Sequence, residues 1–231
     1  TSTVASKQSE KNEDIQATEA AEETSSSTGK TITIGTPYTI DTFLPWDFTS
    51  DGDRYVISNV YECLFEYDAN TCIPVLAESY TNPDDCTWDV KIRENAYWHT
   101  GNKLFGDEKV QIKAEDVKWV MDWTMDPANG SKQQTNLSSV VSSVEVLDDF
   151  TLRFTTPEPK ALFLFTLSRV MIFPKKAIDE GFDLNAWPVG SGAFKYVSYQ
   201  TDDQVVLEKN SDYYITPNVD EVIFKIIPDK S

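Results

Sequence analysis

The chain has 231 residues, 40% of them hydrophobic and 12% aromatic, which is enough to bury a core in one or two domains and too apolar for disorder throughout. Its formal charge of −18 argues against nucleic acid, whose phosphates need a cationic surface, and against anionic membrane surfaces; it reads as solubility outside the cell. No run of roughly 18 apolar residues is present to span a bilayer, and three cysteines, an odd number, cannot make a closed disulfide framework.

Residues 1–30 are rich in Ser, Thr, Glu, Ala and Gln, with Val4 and Ile15 as the only large aliphatics. No apolar face offsets the entropy of ordering them, so a disordered polar tether is expected, with a marginal helix near Gln16–Glu23 as the competing reading. Such a tether suits a protein held at a membrane surface by a lipid on a residue outside this sequence. Thr1 stands where an initiator Met would, with no charged-then-apolar leader, so a removed signal peptide and an excised piece of a longer protein both stay open.

Thr31–Thr36 alternates β-branched residues and stops at Gly35-Thr36-Pro37, a strand entering a loop. The loop to Asp53 carries Tyr38, Phe43, Trp46 and Phe48, aromatics that either fill the underside of a loop or line a ligand cleft. Val56, Ile57, Val60, Tyr61, Leu64 and Phe65 form one stripe of a 3.6-residue period, predicting a helix over Arg54–Tyr67 capped by Ser50 or Asp51. Pro74–Gly101 then reads as an apolar anchor at Val75 and Leu76, a turn at Asn82-Pro83-Asp84-Asp85, a strand with Trp88, Val90 and Ile92 inward, and an aromatic-glycine ending at Trp98-His99-Thr100-Gly101.

Beyond a polar stretch with a turn at Gly106-Asp107, Ala114–Met125 is a second helix ended by Asp126-Pro127. Asn129–Ser139 reads as polar loop, and Ser143–Leu147 with Thr151–Thr155 as a hairpin. Ala161–Leu167 is a short apolar helix, and Pro174 opens another that Gly181 closes. Pro188–Phe194 is a glycine-bracketed loop feeding strand Phe194–Tyr199; strands Val205–Lys209 and Glu221–Ile227 flank a Tyr-containing loop over Asn210–Asn218. Interleaved strands and helices predict an α/β chain, a mixed sheet with helices packed on it.

The chemistry-bearing residues do not assemble an active site. His99 is the single imidazole, no strand-turn-helix elbow presents a nucleophile to it, and it reads as a loop hydrogen-bonder. One His and three scattered Cys lack metal-site spacing, so no metal and no cofactor are expected. Gly190-Ser191-Gly192 has no Lys-Ser or Lys-Thr after it and no completing glycine, so it is neither a phosphate loop nor a dinucleotide fingerprint. Asp84-Asp85 and Asp202-Asp203 sit at turns, where such side chains bond their own backbone.

The fragments TITIGT, Asp41-Thr42-Phe43-Leu44-Pro45, VYECLFEYD, PVLAESY, DCTWDVKIRENAYWHTG, KAEDV, SVEVLDDFTLRF, FPKKA, PVGSGAFKYVSY, VVLEKNSDYY and VDEVIFKIIPD, in this order, resemble solute-binding proteins of family 5, the dipeptide and oligopeptide class of ABC importers. The resemblance runs from about Thr31 to Asp229. It implies the first lobe of a type II periplasmic-binding-protein-like fold, with a base sheet from about 31–49 and 167–229 and a smaller α+β subdomain inserted over about 50–166. Members of the family are about twice this length, so the resemblance implies that this sequence corresponds to the first lobe, with the second lobe and the returning C-terminal segment expected to be absent from it.

The resemblance further implies an extracytoplasmic receptor, in the periplasm or as a cell-surface lipoprotein, that binds without chemistry and hands peptides to an ABC transporter permease. Such a receptor is expected to act as a monomer, without nucleic acid, touching the membrane only through a missing N-terminal lipid anchor. An oligosaccharide, a nickel complex or another solute on the same fold is the alternative; an extracellular hydrolase or a non-transport interaction module is the alternative of another class. The ligand-binding candidates are Tyr38, Thr39, Phe43 and Trp46 from the first loop, and Ser191, Gly192 and Phe194 from the glycine loop, where Gly190 and Gly192 allow close backbone approach. Departures from the family pattern are Ala193 in place of Pro, Thr100 in place of Asp or Asn, a long Asn102–Lys113 segment, and Cys63, Cys72 and Cys86 at small-residue positions, where a Cys63–Cys72 bridge is one of the open thiol states.

Overall fold

The structure is a computed structural model and describes residues 29–68 and 71–227. The expected tether lies outside these residues apart from Gly29 and Lys30. Lys30 is already tied down, its amide donating to Asp220 Oδ2 at 2.9 Å and its carbonyl accepting the Asp220 amide at 2.8 Å.

β1 (Thr31–Thr36) leads through the aromatic loop to α1 (Asp51–Val60), which Ser50 caps by accepting the Asp53 amide at 3.1 Å. The helix starts three residues before the expected position and ends well short of Tyr67. Tyr61 is already extended (φ −108°, ψ 149°), and the chain continues as β2 (Glu62–Cys63) and β3 (Phe65–Asp68). Leu64 and Phe65 are buried as the apolar stripe demanded, but from strand geometry, because an apolar run this short satisfies either period and tertiary contacts decide.

β4 (Thr71–Pro74) pairs with β3 as a hairpin. Cys72 therefore faces Tyr67 while Cys63, on β2, faces Met171; all three cysteines are free thiols, and the Cys63–Cys72 bridge is not formed.

β5 (Ala77–Asp84) continues through the turn expected at Asn82–Asp85 with a register shift between Thr81 and Asp84, and the reversal falls at Asp85-Cys86 before β6 (Thr87–Ile92). Pro83 is tolerated there because β5 is an edge strand, where a missing N–H breaks no ladder bond that a central strand would need. α2 spans Ala114–Met125 as expected and buries Val117, Val120, Met121 and Thr124. The stretch read as polar loop over Asn129–Ser139 contains α3 (Gln134–Ser138), anchored by fully buried Leu137.

β7 (Ser143–Asp148) and β8 (Thr151–Thr155) form the expected hairpin. α4 (Phe163–Leu167), β9 (Met171–Ile172) and α5 (Lys175–Asp179) follow, with Pro174 at the N-cap rather than the first helical position. β10 (Phe194–Gln200), β11 (Gln204–Lys209) and β12 (Glu221–Ile226) complete the chain.

Two four-stranded sheets organise these elements. One has the order β1-β12-β11-β10, with β1 parallel to β12 and the other pairs antiparallel; the other is the antiparallel sheet β5-β6-β8-β7. The second is built from the predicted alternation: Val90, Ile92, Leu152 and Phe154 turn to one face, and α2 packs against β7 and β8. The short β2-β9 pair links the two halves, with Glu62 opposite Ile172, and places the C-terminal end of α1 beside the chain that leaves α4.

Trp98 is buried and stacked on Phe105 (6.4 Å, 3° between planes). Gly101 (φ +78°) turns the chain so that its amide reaches the Gly106 carbonyl at 2.6 Å.

Candidate functional site

Helix α1 is gripped at both ends by the two loops singled out from the sequence. At its start, buried Asp53 accepts the amides of Asp41 (2.7 Å) and Thr42 (3.1 Å) on Oδ1, pinning the aromatic loop. At its end, the glycine loop lies so close that a Cβ on Gly190 would stand 2.2 Å from the Val60 carbonyl oxygen, and one on Gly192 would stand 2.4 Å from that of Asn59. The Gly192 amide donates to the Val60 carbonyl at 2.8 Å. Both glycines thus come close to the protein's own helix terminus, where free carbonyls need donors.

His99 belongs to this junction. Its Nε2 lies 2.9 Å from the Gly192 carbonyl oxygen, which requires the proton on Nε2, and its amide donates to the Gly190 carbonyl at 2.8 Å. Asn210 Nδ2 donates to the same Gly192 oxygen at 3.0 Å. Burial pushes the imidazole down to about 4, so it is neutral near pH 7 and holds the loop.

The seven ligand-binding candidates part company here. Phe43 packs edge-on between Tyr196 and Tyr199 (5.5 and 5.2 Å), Trp46 against Trp123 and Phe173 (5.0 and 4.8 Å), and Phe194 lies in the core. Ser191, 2% exposed, donates its hydroxyl to Glu62 Oε2 at 2.7 Å. Tyr38 and Thr39 are exposed over Gly52 at the first turn of α1, with the Tyr38 ring 6.2 Å from that of Tyr55. Gly192 lines the cleft described next, and the other six do not.

That cleft, about 550 Å³, falls within the size range of small-molecule sites. One wall is a helical stripe of α1 with Asp51, Arg54, Tyr55 and Ser58; the other comes from Glu62 and Cys63 on β2 and from Ser168 and Arg169 after α4. Glu62 is 4% exposed, and its carboxylate accepts from Ser191, from the Tyr213 hydroxyl at 3.1 Å and from the Tyr214 hydroxyl. Burial still outweighs these donors and pushes the carboxyl up to about 7. Burial likewise pushes the Cys63 thiol up to about 12, which leaves it protonated and a poor nucleophile.

Arg54 and Arg169 line the cleft without any local sequence signal that marks them. The sequence has four arginines, and two are engaged. Arg153 forms a two-pronged pair with Asp89 at 2.7 Å on each arm, and Arg93 donates Nε to the Val75 carbonyl at 2.6 Å while lying 4.3 Å over the Tyr214 ring. The remaining two both line the cleft. Among the described residues, no group of three or more His, Cys, Asp or Glu side chains is arranged to hold a metal ion.

Known proteins resemble this chain over most of its length. A sequence model described as bacterial extracellular solute-binding proteins, family 5 Middle, matches residues 71–231. The chain is similar to the glutathione-binding protein GsiB of Pectobacterium atrosepticum, 28% identical over 207 residues, which is 87% of this chain and 38% of that protein.

Among solved structures it is similar to the periplasmic binding protein DppA of Helicobacter pylori in complex with the peptide STSA. The TM-score is 0.77 at 26% identity, covering 87% of this chain and 44% of that one. It is also similar to MoaA of A. tumefaciens R10 in complex with mannopinic acid (TM-score 0.75, 26% identity, 87% and 42% covered). The chain thus spans about two fifths of the length of the relatives it matches.

Proposed function

This chain belongs to the bacterial extracellular solute-binding proteins of family 5, and from that premise we propose that it is the part of an extracytoplasmic receptor that captures a short peptide or peptide-like solute for an ABC transporter permease. The observation that carries the reading is the cleft beside α1. It is ligand-sized, lined by convergent polar groups, and contains neither a paired nucleophile and base nor a reactive thiolate. Such a site suits binding and release without chemistry. The peptide bound by DppA and the glutathione of the GsiB name favour a peptide-like solute; the mannopinic acid of MoaA favours a non-peptide organic acid as the second reading.

On this reading the sheet β1-β12-β11-β10 is the base of one lobe, the sheet β5-β6-β8-β7 is the core of a subdomain inserted over about 50–166, and a second lobe completes the ligand's enclosure. Among the described residues no helix is long and apolar enough to cross a membrane.

The test is thermal stabilisation of the protein, in this form and in any longer form, by a panel of di- to pentapeptides, glutathione, an organic acid and an oligosaccharide. A ligand at a hundred times its Kd adds about 2.7 kcal/mol. For a chain of this size that raises Tm by about 5–10 °C. A shift with the oligosaccharide and none across the peptides would sink the peptide reading.

A further inference from the structure

With 38 acidic and 20 basic residues, the chain offers its cations an excess of carboxylates. Lys91, Lys109, Lys113, Lys118, Lys175 and Lys209 all find carboxylates, as does Arg153. Arg54 and Arg169 are both half-buried, and among the described residues neither side chain has a hydrogen bond or an ion pair. They come from elements far apart in sequence, the first turn of α1 and the exit from α4, and line the same cleft. Burial, and then the Arg54 charge, hold the Arg169 guanidinium below its usual range.

Folding has therefore brought together two like charges that repel, in a partly desolvated place, without a direct ion-pair partner for either. That arrangement is unfavourable for the empty protein and becomes favourable when an anion lies between them. The cleft's own acids do not fill that role. Glu62 is occupied by Ser191, Tyr213 and Tyr214; Asp51 and Glu66 are exposed, and although the Asp51 charge reaches Arg169 from a distance, neither acid forms an ion pair with either arginine. The guanidinium is also the cation best shaped for a carboxylate, with a planar fork and weak hydration.

We propose that Arg54 and Arg169 together form the seat for a carboxylate of the bound solute. The inference deepens the receptor reading and rests on it for the solute's identity, but the seat itself is a property of the two arginines. The shared chemistry is the carboxylate, whether it ends a peptide or belongs to another organic acid. Removing one of two charge-assisted partners weakens binding about tenfold or more.

The experiment follows the arginine Nε–Hε signals by ¹⁵N NMR at constant ionic strength, titrating trialanine, trialanine amide and succinate, with Arg93 as the internal control because its guanidinium is already engaged. Expected is saturable movement of the Arg54 and Arg169 signals with trialanine and succinate, no such movement with the amide, and at least tenfold weaker trialanine binding in Arg54→Gln and in Arg169→Gln. Movement with succinate alone supports the seat and counts against the peptide reading. Trialanine shifting cleft amides while both arginine signals stay still, equal binding of trialanine and its amide, or arginine signals that succinate and trialanine both leave unmoved would each overturn the inference; the first two would leave the receptor reading standing.

Discussion

Replacing Gly192 with alanine tests whether the glycine loop is locked to the end of α1. The added Cβ would stand 2.4 Å from the Asn59 carbonyl oxygen, 2.8 Å from that of Val60 and 2.9 Å from the Asn59 carbonyl carbon. All three are backbone atoms of a helix terminus, so no side chain can swing aside. The loop must withdraw, and it then loses hydrogen bonds that converge on Gly192 from Val60, His99 and Asn210.

Overpacking of this kind costs about 1–3 kcal/mol, and each buried hydrogen bond about 1 kcal/mol. Some bonds survive as strained versions, so the expected destabilisation of Gly192→Ala is about 3–5 kcal/mol. Urea unfolding followed by circular dichroism would show a lower midpoint at unchanged slope, and Tm would fall by roughly 6–20 °C. Gly101→Ala is the matched comparison. Gly101 has φ +78° but nothing within 4 Å of the added carbon, so only backbone strain of about 1 kcal/mol is expected. Equal, small effects of the two substitutions would refute the steric argument.

Two further outcomes concern ionisation and thiols. Glu62 carries a folded-state value of about 7 against 4.5 when unfolded, so the native state holds the extra proton and stability falls as pH rises through that window. His99, at about 4 against 6.5, has the opposite sign and contributes stability that rises with pH over its window. The two slopes oppose each other between about pH 4.5 and 6.5. Glu62→Gln should therefore uncover a rise in stability across that range and His99→Gln a fall, read from urea midpoints; unchanged slopes in both variants would contradict the assignments.

For the cysteines, alkylation of the denatured protein without reductant should add three groups by intact mass. In the native protein, Cys63 should react slowest, because burial keeps its thiol protonated. A mass showing only one adduct would establish a bridge.

Much of the scaffold was legible in the chain because its elements satisfy local rules without help. The period-2 strand at Trp88, Val90 and Ile92, the hairpin at Ser143–Thr155 and helix Ala114–Met125 each carry their own pattern and stop signals. Helix α1 ends earlier than its apolar period implies because Tyr61, Leu64 and Phe65 are buried in either conformation. What selects strand is distant: Ser191, Tyr213 and Tyr214 closing on Glu62, and the Gly192 amide taking the Val60 carbonyl.

The glycine loop announced a close approach but not its partner, and the aromatics Phe43, Trp46 and Phe194 announced burial that core packing uses as readily as a cleft. Arg54 and Arg169 left a fainter mark. Arginine is scarce in this chain, yet whether a given one has a partner is a property of the folded surface that no local window contains.

The parallel pairing of β1 with β12 joins residues 190 positions apart, as the Thr31–Glu221 hydrogen bond at 3.1 Å shows. Closing a loop of that length carries an entropic term of about 5 kcal/mol before any ladder bond offsets it. At synthesis rates of about 5–20 residues per second, β12 emerges roughly 10–40 s after β1. Throughout that interval Thr31–Thr36, a β-branched strand with Ile32 and Ile34 exposed even in the finished fold, has no native neighbour to pair with. Time, rather than final stability, is thus the quantity that this topology places most at risk.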